Sequence, residues 1–589
     1  MSPLPVDPTS ADLAPTDPVP VDPPRPHLDR RRFLQWTGAL GAAFGVSAPS
    51  FAFTAAGAAP RALTPRQEAS RFLAQATFGG DLELVDAVVA AGPAAWLDGQ
   101  MALPVEPFIP RIFELFEDGT GGEDGLFLYF DWVWWEQVLT SPDVLRQRIA
   151  FVLSQMFVIS RRTDELFDNS LATGAFWDVL ARNAFGNFRD LLLEVALQPS
   201  MGMYLSHLNN RRSDPAVNRF PDENFAREVM QLFTIGLFEL EPDGTRRLDA
   251  EGQPIPTYGN AEITEMAKIF TGLTLAPEDG EPVIFGEEWE TLHLPMVMFE
   301  AEHEPGPKTL LGGFVVPAGQ TGMEDIEMAI DHLFRHPNVG PFLGSHLIRF
   351  LVTSNPSPAY VARVAAAFDD NGGGVRGDMK AVIRAVLLDP EARSPANLED
   401  PHFGKVREPL VRWVQLGRAF HATSDSGLFR HFGVLESGDD GEGGEGFESV
   451  FLAQYPLFAP SVFNFFSPTH QPAGPLADAG LVAPEMEIIH AYTSIATANA
   501  VFRALFEEEY ISDLEETVWL DLDTEIDIAA EDPEALLDHL DLLLTYGTLS
   551  AATRTLLRDA ILPLSEEPEE QVMTAIFLMM ISPEYAVQR

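Results

Sequence analysis

A stripe of polar side chains on one predicted helix offers the most organised chemistry in this sequence. Segment 222–236 reads DENFAREVMQLFTIG, in which apolar residues at helical spacing alternate with charged and amide residues. At 100° per residue the polar side chains fall within an arc of about 100°, so they can face one ligand together. The stripe consists of Asn224, Arg227, Glu228 and Gln231, and Glu223 precedes it at the positive end of the helix.

This stripe has two interpretations, and the sequence leaves both open. A guanidinium, a carboxylate and two amides can form a binding or catalytic surface. The same groups can instead form a buried network that locks helices together, because buried charges need partners. A related hypothesis places Arg148, from the apolar helix that begins near Leu145, in one interior cluster with Arg227 and Glu228.

A histidine in an acidic segment supplies the second candidate. His303 is flanked by glutamates at positions 300, 302 and 304 and is followed five residues later by Lys308. An imidazole titrates near neutral pH, so His303 is a candidate general base or metal ligand. The alternative is a loop histidine among surface acids.

Together these residues define a hypothetical site. Glu228, Arg227 and His303 are the predicted catalytic residues. The predicted binding residues are Glu223, Asn224, Gln231, Lys308 and Arg148. No metal-ligand set is predicted, since the chain has neither cysteine nor an H-E-x-x-H motif, and the sequence does not specify a cofactor.

Long segments at 3.6-residue spacing, separated by Gly, Pro and Asp, dominate the chain after residue 62. The spacing predicts helices over 66–76, 81–91, 126–139, 143–159, 174–182, 187–197, 222–235, 261–271, 323–335, 340–352, 357–368, 377–388, 405–420, 484–507, 534–545, 551–561 and 567–580.

Strand signals are weak by comparison. The best lies between Pro282 and Phe299, where residues 283–285 and 297–299 flank a polar stretch and predict a small hairpin. The predicted fold class is therefore mostly α, a large multi-helix globular body with at most a small β-hairpin. Residues 62–589 are expected to form a single large helical domain, or two packed lobes split near residue 400.

The N-terminal region predicts export. Residues 1–29 repeat Asp-Pro pairs at a density that predicts a disordered leader. Arg30-Arg31-Arg32-Phe33-Leu34 then opens a weakly apolar run, so 30–58 is typical of a twin-arginine signal segment. The twin-arginine translocation machinery moves proteins that have already folded. The expected location is therefore periplasmic or extracellular, and no later segment is apolar enough to predict a stable membrane span after signal removal.

Composition excludes several classes of protein. With 88 acidic against 38 basic residues, the formal charge of −50 makes nucleic acid an improbable partner. The absence of cysteine excludes disulfides, thiolate metal sites, iron–sulfur clusters and cysteine nucleophiles.

Ordered motifs along nearly the whole body resemble one bacterial family. They are ASRFLAQATFG from Ala69, LRQRIAFVLSQMFVIS from Leu145, ENFAREVMQLFTIGL from Glu223, HPNVGPFLGSHLIRFLVTSNPSPAYVARV from His336, PSVFNFFSP from Pro460 and SPEYAVQR from Ser582. Over about residues 66 to 589 the chain resembles the domain-of-unknown-function family eighteen hundred. The resemblance implies an exported, mostly helical protein, often encoded beside an exported phosphatase- or sulfatase-like protein. It implies no reaction.

Two functions therefore come before a third, cation-responsive surface binding, which rests only on the acidic charge. The favoured one is a partner or scaffold that acts with another exported protein, because no recognisable catalytic arrangement appears in the sequence. The alternative is an extracytoplasmic hydrolase or lyase on carbohydrate or another polymer, with Glu223 and Glu228 acting beside Arg227 and His303 around a cleft.

Overall fold

The computed structural model describes residues 62–120, 125–167, 169–287, 290–429, 452–506 and 518–589. The predicted leader (1–29) and signal segment (30–58) lie outside the described residues. All described residues belong to one compact unit.

Helices build most of this unit. As far as Leu351 they are α1 (Pro65–Ala76), α2 (Leu82–Ala91), α3 (Pro93–Ala102), α4 (Phe108–Glu117), α5 (Gly125–Thr140), α6 (Val144–Met156), α7 (Asp164–Phe167), α8 (Ser170–Asn183), α9 (Phe188–Ala196), α10 (Pro199–Tyr204), α11 (Asn224–Gln231), α12 (Asn260–Ile269), α13 (Gly322–Phe334) and α14 (Val339–Leu351). After Leu351 they are α15 (Pro358–Asp369), α16 (Met379–Leu387), α17 (Pro390–Arg393), α18 (Pro409–Ala419), α19 (Pro475–Asp478), α20 (Ala491–Phe506), α21 (Asp523–Glu531), α22 (Pro533–Thr545), α23 (Ala551–Ile561), α24 (Pro568–Met580) and α25 (Pro583–Ala586). The mostly α fold class predicted from the sequence is confirmed.

The described strands form four two-stranded antiparallel sheets. Their members are β1 (Leu273–Thr274) with β2 (Val297–Met298), β3 (Lys308–Leu310) with β4 (Phe314–Val316), β5 (Lys405–Val406) with β8 (Val587–Gln588), and β6 (Thr423–Ser424) with β7 (Val518–Trp519). The predicted hairpin between Pro282 and Phe299 is wrong. Residues 297–298 do form a strand, but it pairs with 273–274 and not with 283–285. Burial explains the choice, because Leu273 and Thr274 are buried whereas Val283 and Ile284 are exposed.

Most of the long helices pack in three groups. Helices α4, α5, α6 and α8 form one group, α14, α15 and α16 a second, and α20 to α24 a third. Helix α18 packs against α5 and α22 and so joins the first group to the third. None of the described helices combines the length and apolar character needed to cross a membrane.

Helix α6 is the central element of the first group. All thirteen of its residues are buried, although five of them are polar or charged. Its arginines reach the ends of neighbouring helices: Arg146 Nη1 donates to the carbonyl of Ala181 at 3.1 Å, and Arg148 Nη2 donates to that of Phe350 at 3.0 Å. These bonds satisfy carbonyls at helix C-termini and place positive charge where the helix dipole favours it.

Candidate functional site

Helix α11 carries the polar stripe predicted from the sequence. Asp222 Oδ1 accepts a hydrogen bond from the backbone N–H of Asn224 at 2.8 Å and so supports the first turn. Gly236, at φ 69°, follows the helix in a left-handed conformation that favours glycine. The helix is shorter than the predicted 222–235, since residues 232–234 form turns.

The outer part of the stripe is held by surface contacts. Arg227 Nη2 lies 3.7 Å from Glu223 Oε2, and both side chains are 41% exposed. Glu223 also accepts a hydrogen bond from Thr264 on α12 at 2.8 Å. Gln231 Oε1 accepts a bond from the hydroxyl of Tyr258 at 2.8 Å. These partners orient the stripe, while Asn224 remains exposed.

Glu228 is the buried member of the stripe. It is 5% exposed, and among the described residues its Oε2 atom has no hydrogen-bond partner. Burial raises the pKa of this carboxyl, and the charge of Arg227 only partly opposes the effect. The pKa of the neighbouring Tyr258 phenol is also raised. Burial is the largest cause, and the charge of Glu228 is the second.

His303 lies in a separate cluster that closes around Lys308 and Asp325. The three side chains are 4%, 1% and 2% exposed respectively. His303 Nε2 is 2.9 Å from Asp325 Oδ2 and 3.2 Å from Lys308 Nζ, and its Nδ1 is 2.9 Å from the carbonyl oxygen of Thr271. Because a carbonyl only accepts, Nδ1 carries a proton and donates to Thr271. Both ring nitrogens of His303 are therefore engaged inside the protein.

The ammonium of Lys308 is the centre of this cluster. Its three N–H groups meet three acceptors: Asp325 Oδ2, His303 Nε2 and the carbonyl oxygen of Glu304 at 2.5 Å. Asp325 also accepts a bond from Gln320 at 2.7 Å. Burial raises the pKa of Asp325, but the hydrogen bonds from Lys308 and Gln320 outweigh it and hold the pKa below its ordinary value.

The two parts of the hypothetical site are linked through helix α12. Helix α12 packs against α11 and also against β3 and α13, which carry Lys308 and Asp325. Within the described part of the chain, no hydrogen bond or ion pair joins His303 to Arg227 or Glu228. A surface cavity of about 240 Å³ between α4 and α5 is bordered by none of the predicted site residues.

Arg148 belongs to a third cluster, so the hypothesis that it meets Arg227 and Glu228 is wrong. Its Nη2 lies 3.6 Å from Glu408 Oε1, and Gln155 on the same helix donates to Glu408 Oε2 at 2.8 Å. Lys405 Nζ lies 3.6 Å from Glu408 and 3.0 Å from Glu485. Two carboxylates and two cations thus neutralise one another in the core, as buried charges require.

The two carboxyls of this third cluster have pKa values shifted in opposite directions. Burial raises the pKa of Glu408, but Lys405 and Arg148 together bring it below the ordinary value. Burial also raises the pKa of Glu485, and the single cation Lys405 does not compensate, so that pKa stays above its ordinary value. The arrangement is a closed core network in which Glu408 is the shared anion.

Comparison with known proteins places the chain in a family. The sequence model of a family described as "Protein of unknown function (DUF1800)" matches residues 71–587. The chain belongs to this family. No curated protein and no solved structure matches the chain.

All three clusters of this DUF1800 protein lie inside the matched residues. Sequence reasoning missed their most important acids, Asp325, Glu408 and Glu485. Asp325 sits in the first turn of α13 and Glu408 directly before Pro409 at the start of α18, positions where an acid usually favours the helix dipole. The sequence therefore shows only that these two acids stand at the start of apolar helices. That position does not indicate whether their side chains are buried. Among the described residues, no group of three histidine, aspartate or glutamate side chains is placed to hold a metal ion.

Proposed function

We propose that this DUF1800 protein is a non-catalytic partner or scaffold that acts with another exported protein. The observation that supports the proposal is the closure of the His303–Lys308–Asp325 cluster. Both ring nitrogens of His303 and all three donors of Lys308 are bonded to groups of the protein itself.

A general base must reach the proton that it removes, directly or through one water molecule. His303 is 4% exposed, and Thr271, Lys308 and Asp325 occupy its hydrogen-bonding positions. The cluster instead ties the segment after β2 to the first turn of α13. Its geometry suits a rigid support more than a reacting centre.

The proposed partner is an exported phosphatase- or sulfatase-like protein of the kind often encoded beside members of this family. The twin-arginine pattern at 30–34 supports joint work outside the cytoplasm, since that route delivers folded proteins. The proposed location is periplasmic or extracellular.

Co-expression tests this proposal. The chain and the phosphatase- or sulfatase-like protein encoded beside it are produced together with their signal segments, and the exported fraction is separated by size-exclusion chromatography. We expect one stoichiometric complex, unchanged by Glu228→Gln, whereas an unrelated acidic exported protein elutes separately. Separate elution of the pair at micromolar concentration contradicts the proposal.

Glu228 favours a second candidate function, a hydrolase or lyase acting on carbohydrate or another polymer. A carboxyl of raised pKa, with one oxygen atom that has no hydrogen-bond partner in the described part of the chain, has two features of a general acid or base. Exposed Asn224 and half-exposed Arg227 lie on the same helix. The test measures release of new chain ends from a panel of neutral and acidic polysaccharides. Release that is abolished by Glu228→Gln but not by Glu223→Gln establishes this function in place of the first.

A further inference from the structure

One loop of this very acidic protein is arginine-rich and apolar at its tip. Segment 211–220 holds three arginines and one acid, against 38 basic and 88 acidic residues in the whole chain. Val217 and Phe220 are each 67% exposed, more than any other large apolar residue among those described. The docking loop, as we name it, comprises Arg211, Arg212, Val217, Arg219 and Phe220.

The backbone of the docking loop is fixed by its own hydrogen bonds. Asp214 and Arg219 pair through both backbone N–H groups, each at 3.0 Å from the opposite carbonyl oxygen. Arg219 Nε donates to the carbonyl oxygen of Arg212 at 3.1 Å, and Asp214 Oδ1 accepts from the N–H of Ala216 at 3.0 Å. Val217 and Phe220 are therefore held outward on a preformed turn, and little conformational entropy is lost when they bind.

The base of the loop is anchored to the segment that carries His303. The N–H of Arg212 donates to the carbonyl oxygen of Glu302 at 2.9 Å, and the N–H of Ser213 donates to Glu304 Oε2 at 2.9 Å. The Glu302 carboxylate lies 3.6 Å from Arg211 Nη1 and 3.8 Å from Arg219 Nη2. These contacts fix the base of the loop to residues 302–304, beside the buried His303.

An aromatic contact orients one of the guanidinium groups. The guanidinium carbon of Arg211 lies 5.0 Å from the ring centre of Phe285, a cation–π geometry. Its side chain keeps 48% of its surface exposed. A guanidinium placed over a ring still has N–H groups available for a carboxylate.

We propose that the docking loop binds a protein partner that presents carboxylates around an apolar pocket; this inference rests on the proposed function. Arginine and aromatic side chains are enriched at the centres of protein interfaces. The whole chain carries a formal charge of −50, which repels a carboxylate-bearing surface, whereas the three arginines of this loop attract one. Phe220 and Val217 fill the apolar pocket and the arginines pair with its rim.

Selection from a displayed library of random 12-residue peptides tests the inference on the purified chain. We expect enriched peptides to carry Asp or Glu on both sides of apolar residues. Phe220→Ala and Arg212→Glu are each expected to weaken their binding at least tenfold. The matched control is Arg247→Glu with Leu248→Ala, an exposed arginine and an exposed apolar neighbour outside the docking loop, which is expected to leave binding unchanged.

Four outcomes overturn the inference: no enrichment, enrichment of basic peptides, binding insensitive to Phe220→Ala, or tighter binding of polygalacturonate than of any peptide. The same variants separate this inference from the proposed function. If the complex with the co-encoded protein survives both Phe220→Ala and Arg212→Glu, the docking loop is not its interface, but the proposed function stands. Absence of that complex removes the function itself.

Discussion

At the scale of single residues, Lys308 decides how the region around His303 behaves. Its ammonium is bonded to Asp325, His303 and the carbonyl of Glu304, and it neutralises the only carboxylate in the cluster. A buried carboxylate that loses its cation faces the full cost of desolvation.

Lys308→Met is therefore expected to lower the free energy of unfolding by about 3–5 kcal/mol at pH 7. The pKa of Asp325 lies below its ordinary value of 3.8, so the stabilisation is complete above about pH 4 and is lost as pH falls further. Urea denaturation at pH 7 and below pH 4 measures both effects. The exposed Lys380→Met is the control, and equal stabilities of the two variants at pH 7 contradict the prediction.

Removing the charge of Glu228 is expected to stabilise the folded protein. Its Oε2 atom is buried with no hydrogen-bond partner among the described residues. Its pKa in the folded state is above the ordinary 4.5, so the folded protein binds the proton more readily, and stability falls as pH rises through that pKa. Glu228→Gln should raise the free energy of unfolding at pH 7 by about 1–3 kcal/mol.

Thermal unfolding from pH 4 to pH 8 measures this difference, which should shrink as pH falls towards 4.5. Glu223→Gln, on the same helix but 41% exposed, serves as the control. A less stable Glu228→Gln protein at pH 7 shows instead that the carboxylate is stabilised by a partner.

At the scale of elements, the short strand β8 closes the body. It pairs with β5, and Gln588 Nε2 donates to the carbonyl oxygen of Leu351 at the end of α14 at 2.7 Å. Arg71 Nε on α1 donates to the carbonyl oxygen of Arg589 at 2.8 Å. Strand β8 and the following Arg589 thus join the first helix, the second helix group and β5 through a few bonds.

Gly404, just before β5, permits this pairing. Its φ is +113°, and a Cβ atom there would meet the carbonyl oxygen of Gln588. Gly404→Ala is expected to displace β8 and to cost at least about 1–3 kcal/mol from backbone strain alone. Hydrogen exchange should then become faster at 585–589.

Gly252→Ala isolates the strain contribution, because Gly252 also has a positive φ (+78°) but a Cβ atom there would meet nothing within 4 Å. If both variants leave exchange at 585–589 unchanged, close contact between Gly404 and β8 is not what holds the strand.

At the scale of the whole molecule, three histidines are kept neutral. Burial lowers the pKa of His207, His336 and His346 to about 4 in each case. His207 stacks on Phe225 of α11 at 3.9 Å between ring centres, and its Nε2 donates to the carbonyl oxygen of Ala196 at 2.9 Å. The folded protein therefore takes up fewer protons than the unfolded chain between pH 6.5 and 4.

The part of the stability that comes from these three neutral histidines should consequently be complete above pH 6.5 and should fall as pH decreases to 4. His207→Gln removes one of these groups, so its stability relative to the unsubstituted protein should rise as pH falls through this window. Thermal midpoints at half-unit pH intervals test this, with the exposed His402→Gln as the control. A constant difference between the two proteins across the window refutes the assignment.

Local periodicity identified most helices of the fold but not all of them. Segments such as 323–335 and 551–561 show a clear apolar stripe, and α13 and α23 lie there almost unchanged. Helices α3 and α4 were missed because Pro93, Gly99 and Pro110 interrupt their sequences. Proline is tolerated at both places because it lies in the first turn, where its missing N–H has no helical partner.

What the sequence alone determined is therefore local: helix positions, the resemblance to the family, and the acidic, cysteine-free composition. The tertiary structure decided which buried charges meet. Arg148 pairs with Glu408 and not with Glu228, and His303 faces Asp325. Helical periodicity depends on residues three and four apart, whereas a buried ion pair depends on how distant helices pack. Each buried charge requires a partner, but only the packing of those helices determines which partner is within reach.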